Sequence, residues 1–280
     1  DEAAWEAAPV VSEFRQKDPA EGELATEATR VRILYDQSSL YIGVELLDSE
    51  PSQIRASELR RDNFLESDDT FAVLLDSFHD HRNAFFFRVN PRGTRFDSLI
   101  RNESERVYSD WDEDWTAAAT IGEKGWTAEI VIPFKILRFS GASEQTLAIN
   151  FERVIKRKNE YAYWTNWGRN YQIYHVSQAG HLHGLADIRQ EERLRIRPYL
   201  LGGFENLGTL TPPRKRGRWE AGLDDVKFAL TSNLTADLTL NPDFAQTEVD
   251  ALQVNLTRFR LFFPEKRQFF KPAELPPKAH

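Results

Sequence analysis

The 280-residue chain contains no cysteine and no methionine. The first absence removes disulfides, thiolate nucleophiles, iron–sulfur clusters and cysteine-ligated zinc together. The second includes the initiator, so the chain reads as a processed product from which a secretory signal has been removed. Long hydrophobic runs are missing too. The longest are Phe71-Ala72-Val73-Leu74-Leu75 and Ala84-Phe85-Phe86-Phe87, far short of the roughly 20 residues of a membrane-spanning helix. Basic residues are in deficit, 36 Lys and Arg against 44 Asp and Glu for a net charge of -8, which argues against the basic stripe of a nonspecific nucleic-acid binder. There is no Gly-rich phosphate loop and no nucleophile elbow.

What remains is a chain 41% hydrophobic and 29% charged, long enough for one large domain or two modest ones with a core that needs no staples. Aromatic residues are plentiful, with 7 Trp, 8 Tyr and 19 Phe. Charge divides the chain: residues 1–190 carry 22 basic and 32 acidic side chains, residues 191–280 carry 14 and 12. The charged connector Arg189-Gln190-Glu191-Glu192-Arg193 separates them, and the domain boundary is placed there.

Strand-period alternation and short buried runs dominate 1–190. Val31, Ile33 and Tyr35 alternate, Asp36-Gln37-Ser38-Ser39 turns, and 40–47 resumes as the second arm of a hairpin. Further strands are expected at 70–76, 84–90, 95–100, 116–121, 126–132, 146–155, 161–165 and 179–188, with turns at Asn90-Pro91-Arg92-Gly93 and Gly122-Glu123-Lys124-Gly125. A short helix is expected at 51–58 and a single turn at 133–137. The fold class is therefore all-β, a jelly-roll-type β-sandwich over 1–190. Over 191–280 longer alternating segments, 194–200, 221–230 and 234–240, read as antiparallel barrel-like strands, with a tight turn at Ser232-Asn233.

Three groups of side chains are candidates for chemistry. Glu66, Asp68, Asp69, Asp76 and Asp80 crowd one stretch; Asp68, Asp69 and Asp76 are the candidate ligands of a structural calcium ion, the other reading being a solvated acidic turn with a strand cap. His79-Asp80-His81 and His181-Leu182-His183 each place two imidazoles two residues apart, and are read as two surface turns rather than a zinc site, which needs three or four ligands together. The aromatic loop is the strongest lead. Trp164, Trp167, Arg169, Tyr171 and Tyr174 alternate with Asn and Gln, and Trp111 sits in an acidic loop. Flat rings offer sugar C–H faces a platform, while amides and guanidinium answer hydroxyls. Trp115 and Trp126 are assigned to the core.

At these residues a resemblance enters. Asp1-Glu2-Ala3-Ala4-Trp5, the segment 28–35, Leu40-Tyr41-Ile42-Gly43-Val44 with Asp48, Ser67-Asp68-Asp69 through Leu75-Asp76, and 126–134 resemble the ordered blocks of the family 9 carbohydrate-binding module. Trp164, the 171–174 loop and Gly180-His181-Leu182 match its late block. The resemblance implies a jelly-roll module that binds sugar chain ends between aromatic rings in the 164–174 loop and often carries calcium. Residues 194–270 resemble the start of an uncharacterised bacterial outer-membrane barrel family, on Gly222-Leu223-Asp224, Leu230-Thr231-Ser232-Asn233, Leu240-Asn241-Pro242-Asp243-Phe244 and Phe262-Phe263-Pro264-Glu265-Lys266-Arg267. The insertion Asp224-Asp225 shifts the usual alternation by one. At most four strands fit in 194–270, where the smallest barrels use eight, so the segment reads as an incomplete barrel.

The expectation is a non-catalytic carbohydrate-binding module of a Gram-negative outer-membrane protein, held at the cell envelope by its C-terminal segment. Its partners are poly- or oligosaccharide, and no nucleic acid. The alternatives are a structural or protein-docking domain of an envelope assembly and a membrane-associated glycoside hydrolase working through paired carboxylates.

Overall fold

A computed structural model describes residues 2–139, 142–189, 194–207, 214–231 and 234–240. The chain divides into two compact units, Asp1–Glu191 and Glu192–His280. The first opens on α1 (Glu2–Ala7), followed by β1 (Val10–Val11), β2 (Arg15–Asp18), β3 (Thr29–Tyr35), β4 (Ser39–Leu47), β5 (Thr70–Asp76), β6 (Ala84–Val89) and β7 (Arg95–Arg101). It continues with β8 (Arg106–Tyr108), β9 (Thr116–Gly122), β10 (Gly125–Pro133), β11 (Glu144–Ile155), β12 (Glu160–Tyr163) and β13 (Gly180–Ala186).

These strands form two antiparallel sheets. One is ordered β1-β3-β4-β10-β9; the other has eight strands, β2-β12-β11-β5-β6-β7-β8, with β13 also paired to β11. The chain crosses between sheets from β4 to β5 and from β10 to β11, so the pairs β4–β10 and β5–β11 nest as in a jelly roll.

Local chemistry sets the turns. Asp36 Oδ1 accepts the N–H groups of Ser38 and Ser39 and closes the β3–β4 hairpin. Asn90 Oδ1 accepts those of Arg92 and Thr94 between β6 and β7, an Asx turn of the kind Asn favours. At the start of β10, Gly125 has φ +136°, and a Cβ there would stand 2.0 Å from the Leu46 carbonyl oxygen. Only glycine lets the β4 backbone pass that close.

The main core lies between the sheets, where Val31, Leu40, Ile42, Val44 and Leu46 meet Phe71, Val73, Leu75, Phe85, Phe87 and Phe151. Trp115 and Trp126 are buried in it. A second cluster covers the opposite face of the eight-stranded sheet, where Ala72, Leu74, Phe86, Phe96, Ala148 and Tyr163 pack beneath Leu65, Ile173, Val176 and Ala179 from the overlying loops. A sheet covered on both faces accounts for the continuous apolar run in β5, whose seven residues are all buried.

The structure departs from the sequence expectation at several elements. The helix expected at 51–58 is one 3-10 turn, Pro51–Gln53, whereas Phe134–Ile136 forms the single turn expected. β12 ends at Tyr163, and the chain then loops to β13 through one 3-10 turn, Val176–Gln178. The strand β2, RQKD in sequence, has no apolar alternation; its pairing with β12 makes it a strand.

The second unit contains β14 (Leu194–Leu207), β15 (Arg214–Thr231) and β16 (Leu234–Leu240), an antiparallel sheet in that order. Arg197 pairs with Asp225 and Pro198 with Leu223, so the extra residue Asp224 bulges out of the ladder where the alternation shifts. The bulge keeps Val226 and Leu223 in the rows of Ile196 and Pro198. The 232–233 turn, the 190–193 part of the connector and the motifs after Leu240 lie outside the described residues. No helix among the described residues is long and apolar enough to cross a membrane, which says nothing of strands.

Candidate functional site

Directly paired residues of neighbouring strands point to the same face of a sheet. In the eight-stranded sheet this register makes one row of Arg88 on β6, Ala72 on β5, Glu152 on β11 and Tyr163 on β12, all on the outer face. Ala72 contributes only a methyl group, so Arg88 and Glu152 meet over it, Nη2 to Oε1 at 2.7 Å. Arg88 also lies 4.9 Å from the Phe86 ring centre, and Tyr174 meets that ring edge-on at 4.9 Å.

Above this row opens a cavity of about 310 Å³, lined by Lys17, Asp18, Arg88, Glu152, Tyr161, Tyr163, Gln172, Ile173 and Tyr174. Lys17 Nζ donates to Gln172 Oε1 at 3.3 Å and ion-pairs with Asp18 at 3.7 Å. The floor and wall thus carry two cations and two anions, each beside its opposite. Burial raises the Tyr163 and Tyr174 phenols above the usual range, with Glu152 adding to both, so both hydroxyls stay protonated. Burial alone would lower the Arg88 guanidinium, but Glu152 with Tyr174 and Tyr163 more than offsets it. The volume suits a small ligand, and neutral, hydroxyl-bearing walls suit an uncharged polar one.

Of the six residues expected to face ligand, five in the aromatic loop and Trp111, Tyr174 lines this cavity. Trp167, Arg169 and Tyr171 are not among its lining residues. Arg15 sits 5.3 Å from the Trp167 ring centre, and Arg169 donates to the Pro19 carbonyl and lies 3.6 Å from Asp18. Tyr171 packs edge-on against His175 at 5.3 Å. Trp167 and Tyr171 are 37% and 40% exposed.

Trp164 and Trp111 lie away from this cavity. Trp164 follows Tyr163 in the chain and points the other way, onto Phe151 at 5.7 Å in the main core. Trp111 packs at 5.1 and 5.9 Å on Phe85 and Phe87, inward-facing neighbours of the outward-facing Phe86. Both rings pack on the main core, on the opposite side of the sheet from Tyr174. The missed residues Lys17, Asp18, Arg88, Glu152, Tyr161 and Tyr163 lie on strands, and only Arg88, the one charge inside the otherwise apolar β6, carried a signal in the sequence.

The calcium ligands are also corrected. Asp69 precedes β5 and Asp76 ends it, and seven residues of extended chain separate them by roughly 23 Å. Asp68 is saturated by Ser57 N–H and Oγ, Glu58 N–H and Asn90 Nδ2, at 2.6–2.9 Å. Asp69 accepts the Lys156 N–H at 2.8 Å. Asp48, another residue of the resemblance, is bound by Arg157 at 2.6 Å. These residues do not fit the calcium that the resemblance implies, because side-chain cations and backbone donors hold them. Among the described residues, histidines included, the side chains whose potential ligand atoms converge in a group of three or more are Asp62, Asp97 and Asp112. Arg61 bridges Asp97 and Asp112 and supplies the positive charge there.

The histidine pairs, expected as two separate surface turns, meet. The ring centres of His79 and His81 are 4.5 Å apart, His79 and His181 4.9 Å, and His181 and His183 5.7 Å. The β5–β6 turn folds against β13, a juxtaposition that only the sheet order creates.

Compared with known proteins, residues 191–274 match a family described as a domain of unknown function (DUF5916). No curated protein matches the chain. Among solved structures, the chain is similar to a carbohydrate binding module family 9 from Caldicellulosiruptor kristjanssonii in complex with glucose, at 11% identity and a TM-score of 0.48 over 64% of this chain and 85% of that one. It is similar to a putative carbohydrate-binding protein from Bacteroides uniformis, at 13% identity and a TM-score of 0.49 over 61% and 86%. The same Caldicellulosiruptor module in complex with cellotriose gives 12% identity and a TM-score of 0.46 over 64% and 84%. No residue role is carried over from these structures.

Proposed function

We propose that the sandwich is a non-catalytic carbohydrate-binding domain that takes a neutral saccharide unit in the cavity over Arg88 and Glu152. The observation that carries this reading is the lining itself: three tyrosines, an amide, and two mutually neutralised ion pairs around about 310 Å³. Phenol faces stack on sugar C–H groups, and forked donors and acceptors answer vicinal hydroxyls. Paired charges give an anionic ligand no net attraction. Glu152 is engaged by Arg88, which argues against its serving as the general acid of a hydrolase.

The same proposal puts this domain at a Gram-negative cell envelope, on one chain with strands that enter the outer membrane. Support comes from the face of the β14–β15–β16 sheet that holds Ile196, Val226 and Leu238 in one row, with Pro198 opposite Leu223, Leu200 opposite Ala221 and Gly202 opposite Trp219. Ile196, Leu200, Trp219 and Leu238 are 53%, 72%, 71% and 57% exposed, an apolar face of the kind that membrane strands turn to lipid.

Calorimetric titration of the full chain with a panel of neutral oligosaccharides tests the proposal. Saturable binding is expected, and Tyr174→Ala is expected to remove it. Absence of saturable binding for every saccharide, at concentrations up to millimolar, overturns it.

A further inference from the structure

Charge is spread unevenly along the hairpin of β14 and β15. Arg214, Lys215, Arg216 and Arg218 fall within five consecutive residues at the start of β15, and no acidic residue stands between Asn206 and Trp219. This run belongs to a chain whose net charge is -8. Where β14 begins, at the other end of the hairpin, the connector instead balances Arg189 and Arg193 against Glu191 and Glu192. Register gives the basic run its place: Leu207 pairs with Arg214, Asn206 with Lys215, Glu205 with Arg216 and Gly203 with Arg218. Glu205 is the one acidic residue paired across the ladder with any of the four.

The same register measures the apolar rows that lead up to the run. Alternate positions of β14 pair Leu194 with Phe228, Ile196 with Val226, Pro198 with Leu223, Leu200 with Ala221, Gly202 with Trp219 and Phe204 with Gly217. None of these residues is charged, and the next pair in the series is Asn206 with Lys215. From Leu194 to Phe204 an extended strand covers roughly 33 Å, and a tilt of roughly 35–45° reduces this to a height of roughly 25 Å. The apolar band of an outer-membrane barrel is itself about 25 Å tall, so the uncharged rows fill it and end where the basic run starts. Trp219, 71% exposed, lies one row before that end, at the level where aromatic girdles mark the edge of the hydrocarbon. Outside a girdle a strand meets lipid headgroups, whose phosphates carry the negative charge that Lys and Arg answer. A hairpin in water has no reason to end its uncharged rows at bilayer height and to set four cations immediately beyond them.

We propose that the end of the hairpin formed by Leu207 and Arg214 is a binding surface for the anionic phosphates of lipid headgroups, with Arg214, Lys215, Arg216 and Arg218 as its cations. The inference rests on the reading that these strands enter a lipid bilayer. It adds which end of the hairpin recognises charge and what that end recognises.

The test is co-flotation of the folded full chain with vesicles of phosphatidylcholine alone and of phosphatidylcholine with about one-third phosphatidylglycerol, at low ionic strength. Binding to the anionic vesicles is expected to be at least about tenfold tighter and to weaken as salt is added. An acidic chain without a local basic patch is repelled by them. Arg214→Gln/Arg216→Gln is expected to lower affinity for the anionic vesicles at least about tenfold and to leave affinity for phosphatidylcholine unchanged. Arg195→Gln/Lys227→Gln removes the same charge from a register pair near the other end of the hairpin, and is expected to change either affinity by less than about threefold. Inorganic phosphate added at constant ionic strength is expected not to displace the chain. The wild-type comparison needs no substitution, so the test holds even where a variant fails to fold. Equal binding of the wild type to both vesicles, equal losses in the two double variants, or displacement by inorganic phosphate overturns the proposal and leaves the membrane reading standing. Absence of binding to either vesicle overturns both.

Discussion

Arg88 and Glu152 sit on strands that are not neighbours, and they pair at 2.7 Å because the strand between them carries alanine at the intervening position. The pair is the floor of the proposed saccharide cavity and one of the few charged groups in the outer cluster of the sandwich. Its energetic weight lies in what is left behind when one member is lost. Arg88→Met leaves Glu152 buried without its partner and is expected to destabilise the fold by about 3–5 kcal/mol. The double variant Arg88→Met/Glu152→Met, apolar on both sides, is expected to recover most of that loss in urea unfolding while failing to bind saccharide.

The exposed aromatic of the loop and the cavity lining make different demands on binding. Trp167 stands outside the lining, so Trp167→Ala is expected to change saccharide affinity by less than about threefold. Lys17→Ala and Tyr161→Ala, which remove lining groups, are expected to lower it at least about tenfold, or about 1.4 kcal/mol. Parallel titrations of the three variants with one oligosaccharide decide between the exposed Trp167 and the cavity.

Stability is expected to depend on pH through two carboxyls of opposite sign. Burial raises the fully buried Asp97 to about 6 from an ordinary 3.8, although the Glu113 N–H and Arg61 pull it down. The folded state therefore keeps a proton that the unfolded chain releases, and the stability this contributes is full below 3.8 and lost as pH rises to about 6. For Glu27 the upward effect of burial is outweighed by bonds from Lys158, Ser49 and Arg157, which hold it at about 2. Its contribution is present above 4.5 and lost as pH falls through 2. Thermal melts across pH are expected to show a flatter profile between 3.8 and 6 in Asp97→Asn, and below 4.5 in Glu27→Gln.

The exposed apolar face of the second unit is expected to partition into lipid. Leu200→Arg places a charge in the middle of that face, where a lipid-facing basic residue costs about 2–4 kcal/mol. The fraction of chain recovered with phospholipid vesicles is expected to fall accordingly. Unchanged recovery would show that the face is covered in another way.

Several parts of the fold were legible along the chain because they rest on local rules. The hairpin through Asp36, the turn at Asn90, the single turn at Phe134–Ile136 and the strand interruption at Asp224 all follow from short-range backbone chemistry or alternation. The strand β2 was not legible, since its polar residues become a strand only by pairing with β12. The candidate site was legible in kind and misplaced in detail. An aromatic loop drew attention to 164–174, yet Trp164 turns inward while Tyr163, one residue earlier, turns toward the cavity.

The amino-acid order by itself determined the strand periods, the turn chemistry, the absence of cysteine chemistry and the change in character near residue 190, because each is written within a few consecutive residues. Only the tertiary structure decided which face of which strand would be covered, and therefore which side chains would meet. Sheet order set Arg88 beside Glu152 over Ala72, and it set the 77–83 turn beside β13 over Ala148. Strands far apart in the chain become neighbours through hydrogen-bond register, and no local pattern encodes that register across such distances.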